Sequence, residues 1–254
     1  MREKKLKAKL ENGEKILGTF ITTTDPSFTE AAAVAGFDFV VIDTEHGPLS
    51  PVEVTGHVRA AEAMGVIPVC RATNAETTTI LRLLDVGVHG IQVPQVNDVE
   101  TAKQVVTAAK YYPQGNRGMA LPRALQFGMG DLMSSFQKAN EDTVVIVHCE
   151  TKESLEVIDQ IAAVEGIDVI FLGPFDLSQS LGIPGQTAHP LIQAAKERVL
   201  EVCQRHGKAA GIFAADGQQA KERMEEGFQV IAMNMDLTLY AIKCQEEVKK
   251  AKGQ

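Results

Sequence analysis

Two apolar runs in this chain each stop on a carboxylate. Residues 143–150 read Thr-Val-Val-Ile-Val-His-Cys-Glu, and residues 169–176 read Val-Ile-Phe-Leu-Gly-Pro-Phe-Asp. A continuous Val/Ile run is the signature of a parallel strand buried on both faces, so Glu150 and Asp176 fall where their strands leave the core. The stretch between them is long enough for one crossover helix, which would set both acids side by side at one rim of a sheet. Two hard oxygen donors on a rigid frame, with space for water and substrate, suit a divalent cation such as Mg²⁺. The alternative is structural: each acid opens the helix that follows it, a common place for Asp and Glu.

Other strand exits carry further chemistry. His148 stands two residues before Glu150 and so points to the same side of its strand; a metal ligand, a substrate contact and a core histidine all remain open for it. Asp43, Glu45 and His46 share a turn bounded by Gly47 and Pro48. Histidine is the side chain best suited to proton transfer near neutral pH, and Asp85 or a carboxylate of the turn could orient it. Alternatively the turn is structural and its side chains satisfy backbone groups. Arg71 ends a third run, as a fork for a carboxylate or phosphate or as half of a rim ion pair. No lysine occupies a strand exit, and Lys208 precedes its strand, which disfavours a lysine-imine aldolase. His57, His89, His189 and His206 fall on helices, on loops or before strands and are assigned no chemistry. The stretch from Gln126 to Gly130 lacks the dinucleotide fingerprint.

What must position these groups is an alternation of strands and helices along the whole chain. Strands are expected at residues 16–22, 38–44, 67–72, 90–94, 143–149, 168–173, 209–214 and 230–235. Helices are expected at 27–35, 51–64, 77–86, 98–110, 152–164, 190–206, 217–226 and 237–250. Such a repeat in 254 residues points to an α/β chain forming one (β/α)₈ TIM barrel domain over residues 1–254. Gly36, Gly166 and Gly227 each end a helix and lead into the next strand, where a left-handed residue is wanted. The alternation breaks once, at residues 111–142, too long and too rich in Gly and Pro for a plain loop. Long connections inside a domain are functional or disordered, and this one is expected to wrap toward a neighbouring subunit or across the barrel mouth.

A formal net charge of −8 and the lack of a Lys/Arg stripe argue against a nucleic-acid partner. No run approaches the length of a membrane span. The basic start at residues 2–9 is followed by no apolar stretch of signal-peptide length and reads as a first amphipathic helix. Cys70, Cys149, Cys203 and Cys244 show no Cys-x-x-Cys spacing, so reduced thiols and a cytoplasmic location are expected.

Taken together, the stretches Ala-Gly-Phe-Asp-Phe-Val-Val-Ile-Asp-Thr-Glu-His-Gly-Pro, Leu-Leu-Asp-Val-Gly, Tyr-Pro-Gln-Gly-Asn-Arg-Gly, Leu-Gly-Pro-Phe-Asp-Leu-Ser and Gly-Lys-Ala-Ala-Gly-Ile, with the Glu150 strand, resemble the HpcH/HpaI aldolases. These are the metal-dependent pyruvate aldolases of the phosphoenolpyruvate/pyruvate barrel superfamily. The resemblance implies reversible cleavage of a 4-hydroxy-2-oxo acid to pyruvate and an aldehyde, with Mg²⁺, Mn²⁺ or Co²⁺ held by Glu150 and Asp176. It implies that His46 is the base, paired with Asp85, and that Arg71 binds pyruvate and stabilises its enolate. It places Asp43 near the metal waters and the backbone of Gly173, Pro174, Phe175 and Asp176 on the pyruvate carboxylate. It also implies a homohexamer, a trimer of dimers, with the last helix exchanged between subunits. This sequence departs from the family at His148, where glutamine is common, at Phe175, where many members have a small residue, and across residues 119–126. The departures leave open a related lyase, such as an oxaloacetate decarboxylase or a macrophomate-synthase-like enzyme. A barrel that senses ligands without catalysis is the reading from another class.

Overall fold

The Val/Ile runs become strands because both of their faces find cover: one turns into a closed barrel, the other against helices. A computed structural model describes residues 6–253; residues 2–5 of the expected first helix lie outside them. Eight parallel strands close in sequence order: β1 (Ile16–Ile21), β2 (Phe39–Asp43), β3 (Ile67–Arg71), β4 (Gly90–Val93), β5 (Val144–Cys149), β6 (Val169–Leu172), β7 (Ala209–Ala214) and β8 (Val230–Met235). The expected α/β barrel is the observed fold.

Register places the chemistry. Asp43 is paired with Arg71 across β2 and β3, Arg71 with Gln92 across β3 and β4, and His148 with Phe171 across β5 and β6. The barrel interior is a packed core that includes Phe20, Phe39, Val69, Ile146 and Phe171. Gly18 and Gly211 make room for it: a Cβ on Gly18 would stand 2.5 Å from the Phe39 ring, and one on Gly211 2.6 Å from the Phe171 ring. Leu6, on the short first helix α1 (Leu6–Glu11), belongs to the same inner cluster. A Cβ on Gly90, the first residue of β4, would lie 3.2 Å from the Leu6 side chain. The N-terminal end of the barrel is thus plugged, and the C-terminal end is left for function.

The outer layer comprises α2 (Ser27–Ala35), α3 (Pro51–Met64), α4 (Thr77–Asp85), α5 (Val99–Ala109), α6 (Leu132–Asp142), α7 (Lys152–Glu156), α8 (Ile158–Ala162), α9 (Pro174–Ser180), α10 (Pro190–His206) and α11 (Gly217–Glu226). Two expectations need correction here. Residues 152–164 form two short helices, because Val157 between them leaves helical geometry at φ −109°, ψ 13°. The connection at residues 111–142 contains a 3₁₀ segment, Arg123–Gly128, and the helix α6, whose cap Asp131 accepts from Ser134 N–H at 3.1 Å.

Nor does that connection cross the barrel mouth. Arg117 Nη2 donates to Asp85 Oδ1 at the end of α4 at 2.7 Å. Arg123 pairs with Glu62 on α3 and donates to the Val86 carbonyl at 3.2 Å. Buried Lys110 fixes the far end, donating to the carbonyls of Asn140 and Thr143 at 2.7 and 2.6 Å. The last helix, α12 (Asp236–Lys252), buries only its first residue; Leu237, Tyr240, Ile242 and Val248 stay exposed.

Candidate active site

Register alone brings the first pair together. Asp43 is fully buried, and Arg71 grips it with two parallel bonds, Nε to Oδ1 at 2.9 Å and Nη2 to Oδ2 at 2.6 Å. Arg71 Nη1 lies 3.2 Å from Glu45 Oε2, and the guanidinium sits 4.8 Å above the Phe20 ring. Asp43 Oδ1 also accepts from the Glu45 backbone N–H at 3.1 Å, which shapes the turn that carries His46. A two-bond fork fixes both the plane and the position of the cation. Burial works against the charge of Arg71, but Asp43, Glu45 and Glu150 outweigh it and leave its basicity raised. These contacts use only part of its five-donor fork, so Arg71 can still donate into the barrel mouth. Burial, with Glu150 nearby, raises the pKa of Glu45 against the pull of Arg71.

The second cluster forms around Glu150. Its Oε1 accepts from the Gln95 backbone N–H at 2.6 Å, with Gln95 held in the left-handed region at φ 52°. Its Oε2 meets His148 Nδ1, also at 2.6 Å. Gln92 Nε2 approaches His148 Nε2 at 2.5 Å, and the ring stacks on Phe171 at 5.2 Å. Both imidazole nitrogens are therefore engaged, one by Gln92 and one by Glu150, an arrangement that suits a group orienting the carboxylate. Burial pushes the Glu150 carboxyl up; His148, the Gln95 N–H and Arg71 pull harder and leave it below its ordinary value. Helix capping does not explain Glu150, because Thr151 caps α7, its hydroxyl accepting from Ser154 N–H at 3.1 Å. Asp176 does lie in the first turn of a helix, α9, as the structural alternative has it.

Gly173 separates the two acids. A Cβ there would stand 2.9 Å from Glu150 Cβ, 3.0 Å from Glu150 Oε2 and 3.9 Å from Asp176 Oδ2. Only glycine leaves that gap open. Two carboxylates facing a gap fit a hard divalent cation that takes its remaining ligands from water and substrate. Among the described residues no group of three or more His, Cys, Asp or Glu side chains is placed to hold a metal, so an ion here would draw on these two carboxylates and take its other ligands from water and substrate.

Of the sequence-assigned residues, His46, Arg71, His148, Glu150, Gly173, Pro174, Phe175 and Asp176 all line one cavity of about 400 Å³ at the C-terminal rim. Asp43 lies directly beneath Arg71. Asp85 does not join them within this chain. It ends α4, which runs back from the rim that Arg71 occupies, and it is bonded to Arg117 instead. Within this chain the carboxylate nearest His46 is Glu45, 3.8 Å from Nε2. Sequence reasoning gives no role to Gln92 and Gln95, although both stand at a strand exit. Gln95 acts through its backbone N–H, for which its side-chain type gives no signal. A larger hollow, about 830 Å³, lies at the opposite end beside Lys7, Lys110, Asp168 and Lys208. The smaller one holds the convergent groups, at the end where barrels of this kind carry their sites.

The fold and rim define a (β/α)₈ barrel with a carboxylate pair and a clamped arginine at its mouth. The family described as HpcH/HpaI aldolase/citrate lyase matches residues 17–242, and the chain belongs to it. It is 34% identical to the hydroxypyruvate/pyruvate aldolase of Pseudomonas aeruginosa, over 98% of this chain and 93% of that one. It is 36% identical to the 4-hydroxy-2-oxo-heptane-1,7-dioate aldolase of Escherichia coli, over 94% of this chain and 91% of that one. Among solved structures, the citrate synthase SbnG superposes with a TM-score of 0.89 at 35% identity, covering 98% of this chain and 97% of that one.

Proposed function

We propose that this protein is a divalent-metal-dependent class II aldolase that reversibly cleaves a 4-hydroxy-2-oxo acid into pyruvate and an aldehyde. The observation that carries this reading is Gly173, which keeps the Glu150–Asp176 gap open in the same cavity that Arg71 enters. Glu150 and Asp176 would hold the ion, Mg²⁺, Mn²⁺ or Co²⁺. When bound, it supplies Lewis acidity toward the oxygens of the 2-oxo acid. At the start of α9 the N–H groups of Phe175 and Asp176 have no carbonyl one turn earlier to meet, and they suit the pyruvate carboxylate; Pro174 has no N–H to offer.

His46 takes the proton of the 4-hydroxyl group. The bond between carbons 3 and 4 breaks, the hydroxyl carbon leaves as the aldehyde, and the bonding pair passes into the 2-oxo group as an enolate. Arg71 faces the charge that develops on that oxygen, already fixed by Asp43 and so in need of little reorganisation. Protonation of carbon 3 then gives pyruvate. His46 is well exposed, with 64% of its side-chain surface open, which suits proton exchange with water. Glu45 is the carboxylate within reach to orient it.

Chelated protein should release no pyruvate from a panel of 4-hydroxy-2-oxo acids, and added Mg²⁺, Mn²⁺ or Co²⁺ should restore release. Full activity without metal, or in Glu150→Gln, would overturn the reading. Oxaloacetate belongs in the same panel. Faster pyruvate formation from it than from any hydroxy-oxo acid would replace aldol cleavage with decarboxylation. We also infer a homo-oligomer, a hexamer with α12 exchanged between subunits, because the apolar side chains of α12 find no cover in one chain. A cytoplasmic setting accords with four free cysteines; no helix among the described residues is long and apolar enough to cross a membrane.

A further inference from the structure

The cavity divides by strand, and the division bears on the identity of the aldehyde, an assignment that rests on the aldol reading. The titratable lining groups, His46, Arg71, His148, Glu150 and Asp176, lie on or after the ends of β2, β3, β5 and β6. The remaining arc, from β7 through β8 to β1, contributes Phe213, Met235 and Phe20, and Phe175 enters from α9. The rings form one wall. Phe20 and Phe213 lie 6.3 Å apart, and Phe213 and Phe175 meet edge-on at 5.9 Å. The wall begins under Arg71, which packs on Phe20, and ends at Phe175, 53% exposed at the mouth.

Polar groups exist on that arc but are engaged elsewhere. The Asp236 carboxylate accepts from the Thr22 and Thr23 hydroxyls at 2.7 and 2.8 Å and from both of their backbone N–H groups. The Asn234 amide donates to the Ala215 carbonyl and accepts from Met235 N–H, both at 2.8 Å. No lysine or second arginine is among the described residues lining the cavity.

We infer that the acceptor aldehyde carries an apolar chain, aliphatic or aromatic, without a terminal carboxylate. A carboxylate or a run of hydroxyls laid along this wall would lose water and gain no partner from this chain, whereas each methylene buried there is favourable. In this the chain parts from the E. coli relative named for a dioate.

The test is condensation of pyruvate with a set of aldehydes by the full-length enzyme loaded with Mn²⁺. From propanal to butanal to pentanal, kcat/KM should rise roughly four-fold per methylene. Succinic semialdehyde and glyceraldehyde should fall about ten-fold or more below pentanal. Either of them matching pentanal overturns the inference. Exchange of the pyruvate methyl protons with D₂O, which needs no aldehyde, is followed on the same sample. Exchange with the wrong aldehyde order overturns the acceptor assignment alone; no exchange overturns the aldol reading and this inference with it. Phe213→Ser should lower the pentanal to succinic semialdehyde ratio about ten-fold, and Phe213→Leu should hold it within about two-fold. A ratio unmoved by Phe213→Ser means that the wall does not select the acceptor.

Discussion

Glu150 is gripped at both oxygens, by the Gln95 N–H and by His148, so its direction is set before any ion arrives. The consequence can be measured at single residues. His148→Phe keeps a ring on Phe171 but removes both hydrogen bonds; metal affinity by calorimetry should weaken roughly ten- to hundred-fold with the fold intact. Unchanged affinity would mean that the histidine orients nothing. Gly173→Ala should be harsher, since its Cβ meets Glu150 at 2.9 Å. Its φ of −95° is open to any residue, so the variant should fold normally yet bind Mn²⁺ at least about ten-fold more weakly. The carboxylate pair, Arg71 and His46 could be read from the sequence because each ends or follows an apolar run. The partner of His46 could not. A one-dimensional reading does not say which end of a helix meets which rim, and within one chain α4 carries Asp85 away to Arg117.

Among the elements, the barrel strands were the most legible, their both-sides burial written as Val/Ile runs. The helix α6 was hidden within a stretch dense in Gly and Pro, although Asp131 with Ser134 three residues on is a start signal. What fastens this segment is a buried lysine. Burial holds the Lys110 pKa down to about 8, with Asp168 opposing and Lys7 adding to the effect. A lysine whose pKa is lower folded than unfolded costs stability while it stays protonated in the folded state. That cost is in force below about pH 8 and is relieved as pH rises toward the unfolded value of 10.5. Thermal melts of wild type and Lys110→Met between pH 7 and 10.5 should show the wild type's advantage growing with pH, by about 3 kcal/mol at most. An advantage that shrinks over that window would contradict the assignment. At neutral pH the variant should still be less stable, because the carbonyls of Asn140 and Thr143 lose their donor.

At the scale of the molecule, an α1 plug closes one end of the barrel and the other end sorts polar from aromatic strands. Helix α12 projects with Leu237, Tyr240, Ile242 and Val248 uncovered. Analytical ultracentrifugation should find the wild type as a hexamer and Tyr240→Asp/Ile242→Asp in smaller species; a wild-type monomer would contradict the exchange of this helix. The fold class was readable from the alternation of elements, but the acceptor wall was not. Phe20, Phe213 and Met235 look like ordinary core residues until barrel closure brings β1, β7 and β8 together. The proposed chemistry stands or falls on whether Glu150, Asp176 and Arg71 together create a pyruvate enolate. Proton NMR of pyruvate in D₂O tests that most directly. The enzyme with Mn²⁺ or Mg²⁺ should exchange the methyl protons, and chelation, Glu150→Gln or Arg71→Met should each slow exchange by about a hundred-fold or more. Exchange that proceeds undiminished after chelation, or in Arg71→Met, would contradict it.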